Sequence, residues 1–436
     1  MEKREVLDYN ISMTIERPYF LKQIIAMKDT SPIKVITGIR RCGKSTLLNQ
    51  LYGSWLNEHG VKMDHIIAID LEDKQNVPLR DSNLLFKAIK ERTLDNERHY
   101  LFIDEAQHID EEKDGTPNPR KMADALNGLN DDKRYDVYVT GSNSRFLSKN
   151  VATELADRGY EIKIYPLRFQ EFYSAYGGDK EEALNRYLVF GGMPFLFQLP
   201  DDLTKTNYLR KLHETVYLCD IHDRYKIRKT RTLDKLIDAL YSNIGAYSSS
   251  TKLENVLNSS GVKITDDTIQ NYFTYLTDAF LFEKADRYDV KGRNYLRGLE
   301  KYYAEDLGLR NAKLGFRQIE ETHLMENLIY LELRIRGYNV DVGSVREGLK
   351  TNNEHEVDFV CHKGAVTIYI QSAYMIDNPS KEKKEKYPFS QIKDGARKIF
   401  IQRNKPLTHF TPEGYLVLGL CEFLLDDESL SKEYII

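Results

Sequence analysis

The sequence predicts a multidomain α/β protein, and three changes of pattern along the chain indicate it. Short apolar runs alternate with amphipathic stretches from about Ser31 to Leu167, which is typical of a parallel sheet covered by helices on both faces. Helical periodicity replaces this alternation from Phe169 to Tyr247, and strands alternate with helices again from Glu320 onward. At 436 residues the chain is long enough for about two to four domains.

Strand signals delimit the first α/β region. The predicted strands are Ile33–Thr37, His65–Asp70, His99–Asp104, Asp136–Thr140 and Glu161–Tyr165, with helices that include Ser45–Leu56 and Arg120–Leu129. The predicted domains are an α/β domain over residues 1–168, a helical lid region over 169–246, a third domain over 247–318 and a second α/β domain over 319–436.

The second α/β domain is predicted from a similar alternation. A helix at Thr322–Arg336 precedes the first strand signal, a polar helix lies near Tyr387–Ala396, and the mixed charges of Lys381–Lys386 predict a solvated loop. The predicted strands are Tyr338–Val342, Glu354–Cys361, Val366–Gln371, Lys398–Gln402 and Tyr415–Leu418.

Residues 247–318 have the outline of a winged helix. Helices at Leu253–Ser259 and Asp267–Phe280 precede two strand-like runs, Leu281–Tyr288 and Asn294–Tyr303, which turn at Lys291-Gly292-Arg293. Two short helices followed by a hairpin with a basic tip predict this fold.

The predicted winged helix offers candidate DNA contacts. Thr265–Tyr275 is the candidate recognition helix, and Lys291, Arg293 and Arg297 form a basic wing interleaved with tyrosines. Such a patch would bind phosphates whatever the base sequence. Acidic neighbours dilute it, so a winged helix used for packing or oligomerisation is the alternative. A separate basic run over residues 224–231 either lines a pore or is a solvated helix end.

A glycine-rich loop follows the first predicted strand and opens a helix. Its sequence, Gly38-Ile39-Arg40-Arg41-Cys42-Gly43-Lys44-Ser45, matches G-x-x-x-x-G-K-[ST]. In such a loop backbone N–H groups curl around the β-phosphate, the lysine neutralises the β- and γ-phosphates, and the serine hydroxyl reaches Mg²⁺. The motif predicts ATP and Mg²⁺ as ligands. The predicted nucleotide contacts are Gly38, Arg41, Cys42, Gly43, Lys44, Ser45 and Thr46.

The third predicted strand ends in two acidic residues. Asp104 is placed to hold the Mg²⁺ that Ser45 binds, and Glu105 is placed to polarise the attacking water. An apolar run that ends in Asp-Glu is common by itself, so the assignment depends on the P-loop upstream.

Amino-acid composition and cysteine spacing exclude several classes of protein. Charged residues make up 30% and hydrophobic ones 41%, which is typical of a globular chain. The four cysteines lie far apart, which is not typical of a cysteine zinc site or a disulfide framework and fits a reducing compartment. Cys42 is either an oxidisable thiol or a small residue that fits the loop. We expect a cytoplasmic protein without a membrane partner, since there is no apolar leader and no apolar run of about 18 residues.

Several of these motifs together resemble the AAA+ ATPases, and in particular a prokaryotic family that joins such an ATPase to a helical region and a C-terminal domain. The matching text is Gly38–Thr46, Leu101–Glu105, Thr140–Ser144, Leu155–Gly159, Tyr165–Phe172, Gly191–Pro194 and Tyr303–Arg310, which spans most of the chain. The resemblance implies that Asn143 senses the γ-phosphate and that Arg158 is an arginine finger for a neighbouring subunit. The alternatives are a helix cap for Asn143, and a surface charge for Arg158 with Arg145 as the finger.

The C-terminal domain resembles the PD-(D/E)xK nuclease fold in the order of its elements. The resemblance implies metal-ligand positions at Glu326 and Asp358, with Glu356 on the same strand face as Asp358. Where the fold expects an acid and a lysine, this sequence has Gln371 and Ala373. A lysine from elsewhere, for example Lys363, is a candidate replacement. We expect the domain to bind rather than to cut, because phosphodiester cleavage needs charged metal ligands and a group that orients water.

These observations lead to two expectations for function. The first is an ATP-hydrolysing AAA+ protein that acts on DNA, with branched DNA as one candidate, as a ring oligomer such as a hexamer. The second is a regulatory ATP switch that binds a protein partner, for example in defence or toxin control. An active nuclease ranks behind both.

Overall fold

The computed structural model describes residues 14–112, 116–142, 155, 158–218, 221–222, 225–227, 229–346, 354–374, 379–403 and 407–433. The chain divides into two compact units. The first comprises Met1–Leu167 and Met193–Tyr208, and the second comprises Arg168–Gly192 and Leu209–Ile436. Within the described residues, every helix falls short of the length and apolar character that a bilayer-spanning helix requires.

The first unit is built on a five-stranded parallel sheet. Its strands are β1 (Ile33–Thr37), β2 (Ile66–Asp70), β3 (His99–Asp104), β4 (Tyr135–Gly141) and β5 (Gly159–Lys163), in the order β2-β3-β4-β1-β5. Its helices are α1 (Pro18–Ala26), a π-helical segment (Thr46–Tyr52) that continues into α2 (Gly53–Glu58), α3 (Ser82–Arg92) and α4 (Pro119–Asp131). Every predicted strand is confirmed to within about two residues, and β1 and β3 have the predicted bounds.

Burial explains why these strands read as continuous apolar runs. Every residue of β1, β3 and β4 is buried, as expected for parallel strands covered on both faces. Leu85 and Ile89 of α3 and Leu126 of α4 pack against one face of the sheet. Since the strands are parallel, the carboxyl ends of β1, β3 and β4 meet at one edge, which we call the carboxyl edge.

The second unit begins with helices and contains a nine-stranded mixed sheet in the order β13-β14-β12-β11-β10-β9-β7-β8-β6. Its first helices are α5 (Phe169–Tyr176) and α6 (Lys180–Phe190). The next helix, α7 (Asp202–Lys211), begins in the first unit and ends in the second. Further along the chain lie a π-helical segment (Leu212–Leu218), α8 (Thr230–Ser242), α9 (Ser250–Ser259), α10 (Asp266–Asp278), α11 (Leu307–Lys313), α12 (Glu321–Ile335), α13 (Pro379–Ser390) and α14 (Leu420–Leu425). Its strands are β6 (Tyr247–Ser248), β7 (Phe282–Asp289), β8 (Asn294–Ala304), β9 (Asn339–Arg346), β10 (Glu354–Lys363), β11 (Val366–Ala373), β12 (Arg397–Gln402), β13 (His409–Phe410) and β14 (Leu416–Gly419).

The hairpin of the predicted winged helix is part of this sheet. Strand β7 pairs with β8 on one side and, through Arg287–Asp289, runs parallel to β9 on the other. The sheet therefore continues across the predicted domain boundary near residue 318, although the sequence pattern changes there.

One helix of the second unit differs from the prediction. The charged run Lys381–Lys386 predicts a loop, but it lies within α13, which ends at Ser390 rather than near Ala396. Lys386 pairs with Glu382 one turn earlier at 2.7 Å, and such i,i+4 pairs support a solvent-facing helix. Mixed charge is therefore compatible with both a helix and a loop, and the pattern alone does not distinguish them.

Two of the motifs that resemble the AAA+ family, Gly191–Pro194 and Tyr303–Arg310, meet in the fold. The Asp306 carboxylate caps α11 by accepting the Leu309 N–H at 2.9 Å, and it accepts the Gly192 N–H at 2.7 Å. A Cβ on Gly308 would lie 1.8 Å from the carbonyl oxygen of Phe190, so only glycine permits this approach. The sequence similarity at these motifs therefore reflects packing.

Candidate nucleotide-binding site

The P-loop lies at the carboxyl edge, directly after β1. Gly38 has φ +144°, and a Cβ there would lie 2.0 Å from the carbonyl oxygen of Ile164, so the position requires glycine. Gly43 also has a positive φ, +101°, and Arg41 is left-handed at +66°. These conformations curl the loop around a space into which backbone N–H groups can point.

Lys44 is buried inside this loop. Its side chain is 4% exposed, and its ammonium donates to the carbonyl oxygens of Gly38 at 3.1 Å and Ile39 at 3.2 Å. The charge is therefore held at the centre of the loop, where phosphate oxygens are expected. Ser45 and Thr46, at the start of the following helix, are exposed.

Thr140 holds two acidic residues at the carboxyl edge. Asp104 ends β3, and Glu105 follows it with a left-handed backbone, φ +52°. The Thr140 hydroxyl, near the end of β4, donates to the Asp104 carboxylate. The Glu105 N–H in turn donates to that hydroxyl at 3.0 Å. One threonine therefore positions both acids relative to the neighbouring strand.

The Glu105 carboxylate is buried and ionised. It accepts hydrogen bonds from the Ser142 hydroxyl at 3.0 Å and from the Gln107 amide. Burial by itself would raise the pKa of Glu105, but the Lys44 ammonium and these hydrogen bonds outweigh it and lower the pKa below its usual value. Glu105 is therefore a carboxylate at neutral pH, within the field of the P-loop lysine.

Asp104 has a different environment from Glu105. Burial raises the pKa of Asp104, against hydrogen bonds from the Ser45 and Thr140 hydroxyls. A serine hydroxyl beside an aspartate is a donor set that suits Mg²⁺, which prefers oxygen ligands and binds through one or two carboxylates together with substrate phosphates. Ser45 and Asp104 therefore fit the predicted metal site.

Relatives of this chain occur in a bacterium and an archaeon. An uncharacterised protein of Haemophilus influenzae is 33% identical over 393 residues, which cover 89% of this chain and 93% of that protein. The chain belongs to the family of this protein. An uncharacterised protein of Methanocaldococcus jannaschii is 31% identical over 381 residues, which cover 83% of this chain and 79% of that protein.

The family member carries a recognised AAA domain. A profile of that domain matches residues 30–173, and a domain of unknown function matches residues 181–320. Among solved structures, a Walker-type ATPase of Pyrococcus abyssi has a TM-score of 0.48 and 14% identity over 69% of this chain and 96% of that one. Cdc6p from Pyrobaculum aerophilum has a TM-score of 0.31 and 12% identity over 72% of this chain and 97% of that one. The first unit has the P-loop AAA+ fold, which binds a nucleotide.

Asn143 and Arg158 are the other two predicted catalytic residues of the AAA domain. Asn143, with the alternative finger Arg145, lies outside the described residues. Arg158 directly precedes β5, whose first residue pairs with Ile33 at the start of β1. Its guanidinium is half exposed and lies 3.1 Å from the Asp131 carboxylate. Because the P-loop follows the other end of β1, Arg158 lies at the opposite edge of the sheet and does not reach the nucleotide site of its own chain.

Sequence reasoning missed a buried arginine that supports the loop. Arg17 is 3% exposed and donates to the carbonyl oxygens of Cys42 at 2.9 Å and Tyr165 at 2.8 Å. Cys42 is fully buried, and its sulfur lies 3.5 Å from the carbonyl oxygen of Ile164. This burial favours the interpretation that Cys42 is a small residue that fits, since reactive thiols are partly exposed.

The predicted DNA-contacting residues lie at the tip of the β7–β8 hairpin. Lys291 and Arg293 are exposed, and the Lys291 ammonium donates to the carbonyl oxygen of Arg346 at 2.8 Å. Arg297 belongs to β8. Of the tyrosines predicted to interleave with these charges, Tyr302 and Tyr303 are buried in the core, where they cannot contact a ligand.

A lysine occupies the acidic cluster for which the sequence predicts a nuclease-like fold. The Lys301 ammonium, from β8, lies 3.0 Å from the Glu326 carboxylate and 2.7 Å from that of Glu356. Burial would lower the pKa of Lys301, but Glu326, Glu356 and Asp358 outweigh it and raise the pKa. The candidate replacement, Lys363, instead donates to the carbonyl oxygen of Arg336 at 2.7 Å.

The Asp358 carboxylate also has hydrogen-bond partners. Its carboxylate accepts the Ser372 N–H at 2.7 Å and the Gln371 amide at 3.2 Å. Burial and the charge of Glu326 raise the pKa of Asp358 well above its usual value. These carboxylates therefore already have partners within the described residues, namely the Lys301 ammonium for Glu326 and Glu356 and the Ser372 N–H and Gln371 amide for Asp358.

Proposed function

We propose that this family member hydrolyses ATP, with Glu105 as the residue that activates water. The observation that carries the proposal is the placement of Glu105, a buried carboxylate with a lowered pKa in the field of the Lys44 ammonium. A base near the phosphates must be ionised at working pH and within reach of a water molecule. Glu105 meets the first condition through its environment and the second through its position at the carboxyl edge.

The other predicted site residues would each bind a different part of ATP or the Mg²⁺ ion, or hold Glu105 in place. Lys44 exchanges its contacts with the loop carbonyls for contacts with the β- and γ-phosphates, and the N–H groups that follow Gly43 add the positive end of the helix. Ser45 and Asp104 would hold Mg²⁺, which when bound neutralises charge on the phosphate oxygens. Ser142 and Gln107 keep the Glu105 carboxylate oriented while the substrate enters.

We propose assembly as a ring, with a hexamer as the working number, and the position of Arg158 supports this proposal. An arginine at the edge opposite the P-loop can stabilise phosphate charge only in a neighbouring subunit. Its exposure and its surface ion pair with Asp131 leave it able to be rearranged, since exposed pairs contribute at most about 1 kcal/mol.

Mixing variants tests this arrangement. Subunits with Arg158→Ala are expected to hydrolyse ATP slowly, and adding Glu105→Gln subunits is expected to restore part of the activity. Mixed interfaces then pair an intact Glu105 with an intact Arg158. The measurement is phosphate release against mixing ratio, with Arg134→Ala as the control for loss of a surface arginine paired with an aspartate. Full activity of a protein that stays monomeric with ATP bound would refute the finger in trans.

DNA is the effector we propose for this activity. The order α8, β6, α9, α10, β7, β8 and the antiparallel pairing of β6 with β8 support the proposal, because both are expected of a winged helix. Lys291 and Arg293 lie exposed at the tip of the wing, where phosphate contacts would form.

A protein partner is the second candidate, and the composition of α10 favours it. The helix reads DDTIQNYFTYLTD, with acidic residues in its first turn and no lysine or arginine. Its exposed side chains, which include Gln270 and Asn271, can hydrogen-bond to base edges and to phosphates, but they carry no positive charge that would neutralise a phosphate. A regulatory switch that binds a protein through this face would need no basic helix.

The two candidates differ in the response of turnover to DNA. We expect single-stranded, duplex or four-way-junction DNA to raise the ATPase rate of the wild type. Lys291→Glu with Arg293→Glu should weaken binding and reduce the slope of log affinity against log salt by about two, or about one for each phosphate that is no longer neutralised. Lys74→Glu with Lys133→Glu is the control, since it makes the same charge change at exposed lysines of the other unit. Absent or salt-insensitive DNA binding would favour the protein-partner switch.

A further inference from the structure

Two histidines and an aspartate lie together where β2 and β3 begin, at the edge of the first unit opposite the P-loop. His65 directly precedes β2, His99 is the first residue of β3, and Asp95 lies in the loop between α3 and β3. One ligand atom from each of the three lies within 4.8 Å of the other two. None of them takes part in the nucleotide site.

His99 presents a nitrogen lone pair toward this cluster. Its ring is fully buried, and its Nδ1 lies 3.0 Å from the carbonyl oxygen of Glu97, which can only accept a hydrogen bond. Nδ1 must therefore carry the proton, and Nε2 keeps its lone pair. That Nε2 is buried without a hydrogen-bond partner among the described residues. A histidine that ligates a metal usually has this arrangement, with the other nitrogen donating to a carbonyl or carboxylate.

The other two residues of the cluster, Asp95 and His65, are also held in defined orientations. The Asp95 carboxylate accepts the Glu97 N–H through Oδ1 at 2.8 Å, which leaves Oδ2 directed at the His65 Nε2, 3.1 Å away. His65 is 5% exposed, and its ring stacks on that of His99 with centroids 4.5 Å apart. The Glu97 carboxylate lies 3.7 Å from the His65 Nδ1. An acidic oxygen therefore lies beside each nitrogen of the His65 ring.

We propose that His65, His99 and Asp95 bind a divalent transition metal, with Zn²⁺ as the ion that these donors suit. Two imidazoles and a carboxylate are zinc ligands, and a water molecule or Glu97 completes a tetrahedral set. Bonds of about 2.0–2.1 Å place tetrahedral donors about 3.4 Å apart, so binding draws the donor atoms together by about 1.4 Å at most. The His65 Nε2 and the Asp95 Oδ2 are already 3.1 Å apart, so the movement that remains is between these two atoms and His99.

Bound at this position, the ion joins the starts of two neighbouring strands. Asp104 ends β3, one strand length from His99, so the metal anchors the strand that carries the catalytic acids without touching the nucleotide. Zinc binds the unprotonated nitrogen of an imidazole, so protons compete with the metal for these ligands.

The test is a calorimetric titration of full-length, chelator-treated, nucleotide-free protein with Zn²⁺. We expect one equivalent to bind, and Asp95→Asn, His65→Asn and His99→Asn each to weaken binding by at least about tenfold, the loss that even an outer-shell partner typically causes. Asp95 is exposed, so its variant should fold even if a buried histidine variant does not. His409→Asn, at an exposed histidine, is the matched control.

Two further measurements separate this site from others. Zn²⁺ should bind Asp104→Asn as tightly as the wild type, because that change removes only the predicted Mg²⁺ ligand. Co²⁺ should give the visible absorption of a tetrahedral site, which Asp95→Asn abolishes. Absence of stoichiometric binding to the wild type would overturn the proposal. The proposal would also be overturned if all three ligand variants bound Zn²⁺ as tightly as the wild type, or if Asp104→Asn lost Zn²⁺ binding.

Discussion

Glu105→Gln is expected to bind ATP with nearly normal affinity and to turn it over about 100- to 10,000-fold more slowly, the range that a positioned general base contributes. Glutamine has nearly the same shape, so the contacts with Ser142 and Gln107 can be replaced by others. It cannot carry the negative charge that the Lys44 field stabilises at this position. The attacking water then lacks a base, while the phosphates keep all of their loop contacts.

The measurement is ATP affinity by fluorescent nucleotide titration beside steady-state phosphate release. Glu112→Gln, an exposed glutamate in the same segment, is the control and should leave both quantities unchanged. Wild-type turnover in Glu105→Gln would place the activating residue elsewhere. Reduced turnover together with weakened ATP binding would instead indicate that Glu105 maintains the loop.

The nucleotide site is largely predictable because its chemistry is local in sequence. The P-loop fixes Gly38, Lys44 and Ser45 within eight residues, and a single apolar strand delivers Asp104 and Glu105 together. The contribution of Thr140 is not predictable in the same way. Its role requires β4 to lie between β3 and β1, and strand order is set by packing across the whole sheet rather than by any one segment.

The supporting residues that sequence reasoning missed come from distant parts of the chain. Arg17 reaches Cys42 and Tyr165, which are separated from it by 25 and 148 positions. Lys301 enters an acidic cluster whose other members lie on α12 and β10. A lone arginine or lysine in a sequence carries no signal of its burial, because these side chains are usually exposed.

Lys44→Ala is expected to reduce ATP affinity by about 100- to 10,000-fold. The side chain supplies charge-assisted hydrogen bonds to two phosphates, each worth about 1.5–3 kcal/mol, and about 1.4 kcal/mol corresponds to a tenfold change in affinity. Loss of the ammonium also removes one hydrogen-bond donor from each of the carbonyl oxygens of Gly38 and Ile39, inside the loop that has to bind the phosphates.

Because Lys44→Ala can also disturb the shape of the loop, a second variant is needed to separate the loss of charge from the loss of loop geometry. Lys44→Arg keeps the charge but not the geometry, and Lys22→Ala removes an exposed lysine of α1 as the control. In the wild type, ATP at about 100 times its dissociation constant should stabilise the fold by about 2.7 kcal/mol, and this stabilisation should disappear in Lys44→Ala but persist in Glu105→Gln. Unchanged affinity in Lys44→Ala would remove the P-loop assignment. Equal losses in Lys44→Ala and Lys44→Arg, with both proteins folded, would mean that the geometry of the ammonium in the loop matters more than its charge.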